Sequence, residues 1–131
     1  MRKRRLGYYH YSPTSNRRLI ELFEKNQKQR YSASNKDWEN KEFTQRLWKE
    51  EIVARKEVAR MLKRGEIRTA DDFYRAGHFF HHSLMFRDYA LGLACFSASW
   101  HLGDLWGKNY YAVALDRFLV SIKQPQYFTT Q

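Results

Sequence analysis

The sequence predicts an all-α fold, a compact bundle of four or five helices closing with a tight helical hairpin. Three observations predict it. Apolar residues recur at helical spacing through most of the chain, and caps and stop residues bracket those stretches. Small residues also repeat at every fourth position near the end, where two helices would approach closely. A length of 131 residues suits a single domain that needs no staples. Residues 1–11 stand apart as a basic, aromatic arm, and residues 12–131 form the helical domain.

Aromatic residues make up 17% of the chain, a good supply for a core, while a mean hydropathy of −0.80 reflects a heavily charged surface. No run approaches the ~20 apolar residues of a membrane helix. Arg2, Lys3, Arg4 and Arg5 carry a signal-like charge. Tyr8, Tyr9, His10 and Tyr11 follow them instead of an apolar stretch, which argues against secretion. The single Cys95 rules out an internal disulfide framework and points to a reducing compartment. A cytoplasmic protein with no membrane partner and no cofactor is expected. Within Ala94-Cys95-Phe96 the thiol reads as a small core residue, not a nucleophile.

The net charge is +10, and all of the excess lies early. Residues 1–68 hold 19 Lys/Arg against 9 Asp/Glu, whereas residues 69–131 hold five of each. Aromatics run the other way, with 14 of 22 after residue 68. One half reads as a charged wrapper and the other as a core.

Taken in order, the arm offers Arg2, Lys3, Arg4 and Arg5 to phosphate and Tyr8, Tyr9 and Tyr11 to bases, although a tail of this kind is also commonly poorly ordered. Ser12-Pro13 makes a helix start, with Ser as cap and Pro in the first helical position. Leu19, Ile20, Leu22 and Phe23 then form a short apolar face opposite Arg17, Arg18, Lys25 and Lys28. This helix is expected to fray near Gln29-Arg30. Residues 32–35 read as a loop.

A long helix is expected over about 36–63, with Trp48, Ile52, Val58, Ala59 and Leu62 on its inner face. Glu42–Arg46 and Glu51–Arg55 are spaced to support its solvent face, each pair by a few tenths of a kcal/mol. Gly65 is a left-handed stop. Thr69 and Asp72 form a capping box that opens a helix running to about His82. Residues 89–101 form the next helix, stopped at Leu102-Gly103-Asp104. The last begins at Lys108 or Asn109, ends at Ser121 and is halted by Pro125. Ala90, Ala94, Ala98 and Gly103, followed by Ala112 and Ala114, resemble a tetratricopeptide or Sel1-like hairpin. Only one such pair is visible, so an array is not expected.

A second pattern runs through the polar residues. Asn26-Gln27-Lys28-Gln29-Arg30 is followed by Val58 to Gly65, Thr69-Ala70-Asp71-Asp72-Phe73, His81-His82-Ser83 and Asp88-Tyr89. Leu115-Asp116-Arg117-Phe118-Leu119, Lys123-Gln124-Pro125-Gln126 and Phe128-Thr129-Thr130-Gln131 complete the series. In order and spacing this resembles an uncharacterised family of small helical bacterial proteins over about 110 residues. Family members read Asp-Gln-x-Asp-Arg at the first motif, Gln-His-Gly at the histidines, and Gly-x-Pro-Gln with a terminal Gly-Thr-Gln at the tail. The resemblance implies a shared helical fold and a polar site gathered from separate helices, with no settled activity. Here Asn26 and Gln29 replace two carboxylates, His81 replaces the Gln, and Ser83, Lys123 and Thr129 replace three glycines. Lost carboxylates remove proton acceptors, and lost glycines remove freedom where φ is positive. If the family site is catalytic, these departures imply that the chain has lost that chemistry and kept the scaffold.

His78, His81 and His82 can share one helix face. A metal alternative rests on His78 and His82 at i, i+4, but no further ligand motif supports it. Asp116 and Arg117 are adjacent and point about 100° apart, so each should pair elsewhere. The expected arrangement is a clamp, with Asp116 anchoring the tail and Arg117 holding a carboxylate such as that of Gln131. The alternative is an acid–base pair of Asp116 with His82. Trp100, Trp106, Tyr110 and Tyr111 read as core packing around the hairpin turn, or as a partner groove if Trp106 and Tyr110 are exposed together.

Two functions follow. The first is a non-catalytic binding or assembly protein that docks Arg2, Lys3, Arg4, Arg5, Arg17 and Arg18 onto an acidic protein or nucleic acid. The second is a small enzyme or ligand-binding protein. Its site would gather Gln27, Arg30, His82, Asp116, Arg117, Gln126 and Gln131, with His82, Asp116 and Arg117 catalytic if there is catalysis. A pocket with those side chains converging would favour the second.

Overall fold

The computed structural model describes residues 14–131 and is all-helical over that span, with six helices and no strand. They are α1 (Arg17–Ser32), α2 (Asn35–Glu39), α3 (Lys41–Lys63), α4 (Ala70–His81), α5 (Phe86–His101) and α6 (Leu105–Ser121). Helices α4, α5 and α6 pack in chain order, and α1 and α3 lie against α4. No described helix is long and apolar enough to cross a membrane.

Helix α1 is capped by Asn16, whose side chain accepts from the Leu19 amide at 2.9 Å. The expected start at Ser12-Pro13 lies outside the described residues. The helix does not fray at Gln29-Arg30 but runs to Ser32, because both side chains are tied to α3. Gln29 donates to Glu50 at 2.6 Å, and Arg30 is paired with Glu51.

The single long helix expected over 36–63 is two helices, which makes six instead of five. Ser34 and Asp37 form a capping box that opens the short α2, so the expected loop narrows to Ala33 and Ser34. Asn40 then takes extended backbone (φ −80°, ψ 117°) and caps α3 by accepting from the amides of Glu42 and Phe43. The inner face of α3 also differs from expectation. Trp48 and Ile52 are 52% and 47% exposed, and the buried stripe is Leu47, Glu51, Val58 and Met61. The stripe is turned because Glu51 can be buried as an ion, given partners on α1, so it leaves the solvent face where it would have paired with Arg55.

Three helices end with the same pair of hydrogen bonds. The Gly65 amide donates to Leu62 and that of Glu66 to Met61; Gly103 and Asp104 repeat this on Trp100 and Ser99. Lys123 and Gln124 repeat it on Val120 and Leu119. This Schellman geometry needs a left-handed residue. Gly65 (φ 73°) and Gly103 (φ 101°) supply it freely, whereas Lys123 adopts φ 60° with a side chain in place.

Thr69 and Asp72 form the expected capping box at α4. Asp72 also accepts from the Asn16 amide at 2.8 Å, so one buried carboxylate fixes the first turns of α1 and α4. Helix α5 begins at Phe86, three residues before the expected start. Helix α6 begins at Leu105 because Asp104 ends one connection and caps the next helix, accepting from the Trp106 amide. Gly107 allows close approach of α6 to α5, since a Cβ there would meet Ser99 Oγ and the Trp100 nitrogen at 2.8 Å.

The core gathers Leu19, Val58, Met61, Ile67, Ala76, Phe79, Phe80 and Cys95. It therefore draws on both halves of the chain, and the first half is more than a charged wrapper. Burial pushes the Cys95 thiol up to about 12, so it is a packing residue.

Candidate ligand pocket

Three helices each turn a polar stripe toward one cavity of about 450 Å³. From α1 come Gln27, Arg30 and Tyr31, and from α4 and its C-cap come His78, His81 and His82; both sets are spaced i, i+3, i+4, so each occupies a single face. Helix α6 adds Tyr110 and Arg117, two turns apart, and the α4–α5 connection closes the rim with Ser83 and Leu84. Ser83 is itself fixed, donating to Asp88 at 2.6 Å and accepting from the Met85 amide.

Arg30 is held from behind. Its Nε and Nη2 donate to the two oxygens of Glu51 at 2.6 and 2.9 Å, and Asn26 donates to the same carboxylate at 2.7 Å. Glu51 is 4% exposed and does not line the cavity. Arg117 is held differently. Its Nη1 donates to the carbonyl of His81 at 3.0 Å, its Nε to Gln131 Oε1 at 3.2 Å, and its plane lies over Tyr89. All three contacts are uncharged.

The histidines are neutral near pH 7. Burial lowers His78 and His81 to about 4, assisted by Arg30 at His78 and by Arg117 and His78 at His81. His82 falls to about 2, again through burial first and then Arg30 and the neighbouring imidazoles. His78 stands in an aromatic box, with Tyr110, Tyr74, Phe96 and Phe23 centred 4.4, 4.7, 5.2 and 5.6 Å away. His78 and His81 are each only 7% exposed, yet His78 Nε2 and His81 Nδ1 have no hydrogen-bond partner.

Of the residues expected at a site, Gln27, Arg30, His82 and Arg117 converge here. Asp116, Gln126 and Gln131 do not line the cavity; they hold the tail. Asp116 is fully buried and accepts from the Tyr127 and Phe128 amides on one oxygen, at 2.7 and 2.9 Å. Thr130 donates to the other through its amide and its hydroxyl, at 2.9 and 2.8 Å. Burial would raise this carboxyl, but the hydrogen bonds from Phe128, Thr130 and Tyr127 outweigh it and hold it below its ordinary value. Both oxygens being occupied, Asp116 is not placed as an acid–base partner of His82. Gln126 accepts from the Gln131 amide at 2.8 Å, and Gln131 reaches back to the Val113 carbonyl and to Arg117. The clamp is thus present, with the side-chain amide of Gln131 where a carboxylate was expected.

His81, Tyr31, Tyr110, Ser83 and Leu84 were not expected at the site. The repeated i, i+3, i+4 polar spacing on two helices was the available signal; the approach of Tyr110 is a tertiary fact. Tyr110 turns inward while Trp106 is exposed, so the two do not form one exposed patch. Among the described residues no group of three acidic, Cys or His side chains is placed to hold a metal, and the His78 and His82 rings are 6.1 Å apart. Arg2, Lys3, Arg4 and Arg5 lie outside the described residues. Arg17 is exposed, and Arg18 is engaged by Glu57 at 2.8 Å and Glu21 at 3.6 Å. A second groove, between α1 and α3, has its charged groups largely paired in this way and is not the candidate site.

Fold and cavity together define an all-helical protein with a polar pocket walled by arginine and histidine. In comparisons with known proteins, no family model, no curated protein and no solved structure matches the chain.

Proposed function

We propose that the protein binds a small molecule in the pocket between α1, α4 and α6. The observation that carries this reading is the convergence of Gln27, Arg30, His82 and Arg117 on one cavity, whose lining residues His78 and His81 also hold buried, unpartnered ring nitrogens just beneath its surface. Buried polar atoms are nearly always paired in folded proteins, and those that are not ask for a reason. A ligand supplies one, and the cavity volume suits a small metabolite. Thermal-shift screening of a metabolite collection against the full chain tests the reading. A compound that raises Tm and moves the ring signals of His78, His81 and His82 is expected. Stabilising compounds that leave those rings unmoved would remove the pocket from consideration.

A second reading, docking of the basic N-terminal half onto an acidic protein or nucleic acid, is supported by the placement of the entire +10 excess before residue 69. Binding of a labelled oligonucleotide or acidic peptide that disappears with added salt, and with deletion of residues 1–11, tests it. Within the fold, the α5–α6 pair is proposed as a tetratricopeptide or Sel1-type hairpin; the close approach at Gly107 and Ser99 supports this.

A further inference from the structure

We propose that the pocket recognises its ligand through a phosphate-type oxyanion, an inference that rests on the pocket being a ligand site. The cavity wall carries two guanidinium groups and no carboxylate. Glu51 neutralises Arg30 from behind and fixes the fork, and among the described residues Nη1 has no acceptor. Among the described residues Arg117 has only neutral acceptors, on Nε and Nη1, and none on Nη2. Two held guanidiniums on different helices therefore border one volume. That pattern suits a planar or tetrahedral oxyanion and repels a cation.

The imidazoles decide between a carboxylate and a phosphate. A carboxylate has two oxygens and one charge, which the two guanidiniums already satisfy. His78 and His81 add unpartnered ring nitrogens, and a neutral imidazole presents one donor and one acceptor. A phosphate monoester brings three terminal oxygens and up to two charges, and a protonated oxygen can itself donate to an imidazole acceptor. It can use both guanidiniums and, once a ring turns its buried nitrogen toward the cavity, an imidazole. A phosphate fills only part of 450 Å³, and Tyr110 together with the exposed rim of Tyr31 and Leu84 leaves room for a small organic body.

Isothermal titration calorimetry and histidine ring NMR on the full chain, with inorganic phosphate, glycerol phosphate, acetate and glycerol as probes, test the proposal. Saturable binding of inorganic phosphate or glycerol phosphate is expected to move the signals of His78, His81 and His82. His101, exposed and bonded to the Ser97 carbonyl, should stay put. Acetate should bind more weakly and glycerol not at all. Arg117→Gln is expected to weaken phosphate binding at least about tenfold, the loss of one charge-assisted contact. Because the wild-type shifts need no variant, a poorly folded Arg117→Gln protein would not mask the answer. If phosphate probes move His101 as much as the pocket rings, or fail to saturate, the proposal is overturned. If a metabolite screen finds only neutral or cationic compounds that move the pocket rings, the anion class is wrong while the pocket reading stands. If no compound moves them, both fall.

Discussion

Arg30 and Glu51 meet fork to fork across α1 and α3, with Nε and Nη2 at 2.6 and 2.9 Å from the two carboxylate oxygens. Glu51 is a buried anion sustained by its partners, and breaking such a pair leaves one charge uncompensated, at about 3–5 kcal/mol. Glu51→Ala is expected to lower stability by about 3 kcal/mol in urea denaturation; a loss below about 0.5 kcal/mol would show the pair to be screened as surface pairs are.

Asn26 donates to that same carboxylate. In Asn26→Asp two carboxyl groups would share the site and one would keep its proton, with a folded pKa above its unfolded value. Relative to the unsubstituted chain, the variant is then expected to lose stability as pH rises from about 4, so its deficit in urea midpoint should be larger at pH 8 than at pH 5. An equal deficit at the two pH values would count against it.

Lys123 and Thr129 hold left-handed backbone, at φ 60° and 56°. Both stand where the family resemblance places glycine, and such backbone costs an L-residue roughly 1–2 kcal/mol. Glycine's greater unfolded-state entropy returns part of that. Lys123→Gly and Thr129→Gly are each expected to stabilise the protein by about 0.5–1 kcal/mol, read as a higher urea midpoint at unchanged m-value. Gly65→Ala should shift it the other way.

Gly107→Ala sets two rules against each other. Helix propensity alone favours alanine by about 1 kcal/mol. The new Cβ, however, would stand 2.8 Å from the Trp100 backbone nitrogen, where nothing flexible can yield. Destabilisation by about 1–3 kcal/mol is expected from overpacking, measured as a lower Tm.

Acid should unfold the protein by way of its histidines. His78 and His81 titrate at about 4 when folded against an ordinary 6.5. Between those values the unfolded chain binds protons that the folded one refuses, so stability rises with pH through this window and is complete above it. Each group accounts for about 3 kcal/mol. Urea midpoints from pH 4 to 7 should show the slope, and His81→Gln should flatten it.

The local parts of this fold were legible in the chain. Thr69 and Asp72, Gly65, and the stop at Gly103 act through near neighbours and are legible in place, whereas α6 is ended by the left-handed Lys123 and not by Pro125. The α2–α3 break was missed because Asn40 is a cap only once Glu42 and Phe43 present their amides. The face of α3 was misread for a different reason. Burial of Glu51 depends on Arg30 and Asn26, more than twenty residues away, and periodicity reads a glutamate as solvent-facing. The pocket was half legible. Gln27, Arg30, His82 and Arg117 could be named from motif spacing, but which of Asp116 and Arg117 faces the cavity depends on how α6 is rotated.

The carboxylate shared by Asn16 and Thr69 has a kinetic meaning. It joins the beginnings of two helices through residues 56 positions apart, so that contact closes a long loop containing α1, α2 and α3. Loop closure is an entropic cost to be met before the contact rewards it. The first turn of α1 is therefore expected to dock late, after α4 has formed around its own cap. Asn16→Ala, which removes the α1 cap and its bond to the Glu66 carbonyl but leaves the α4 cap intact, should accordingly speed unfolding much more than it slows folding, and the opposite ratio in stopped-flow kinetics would reverse the order.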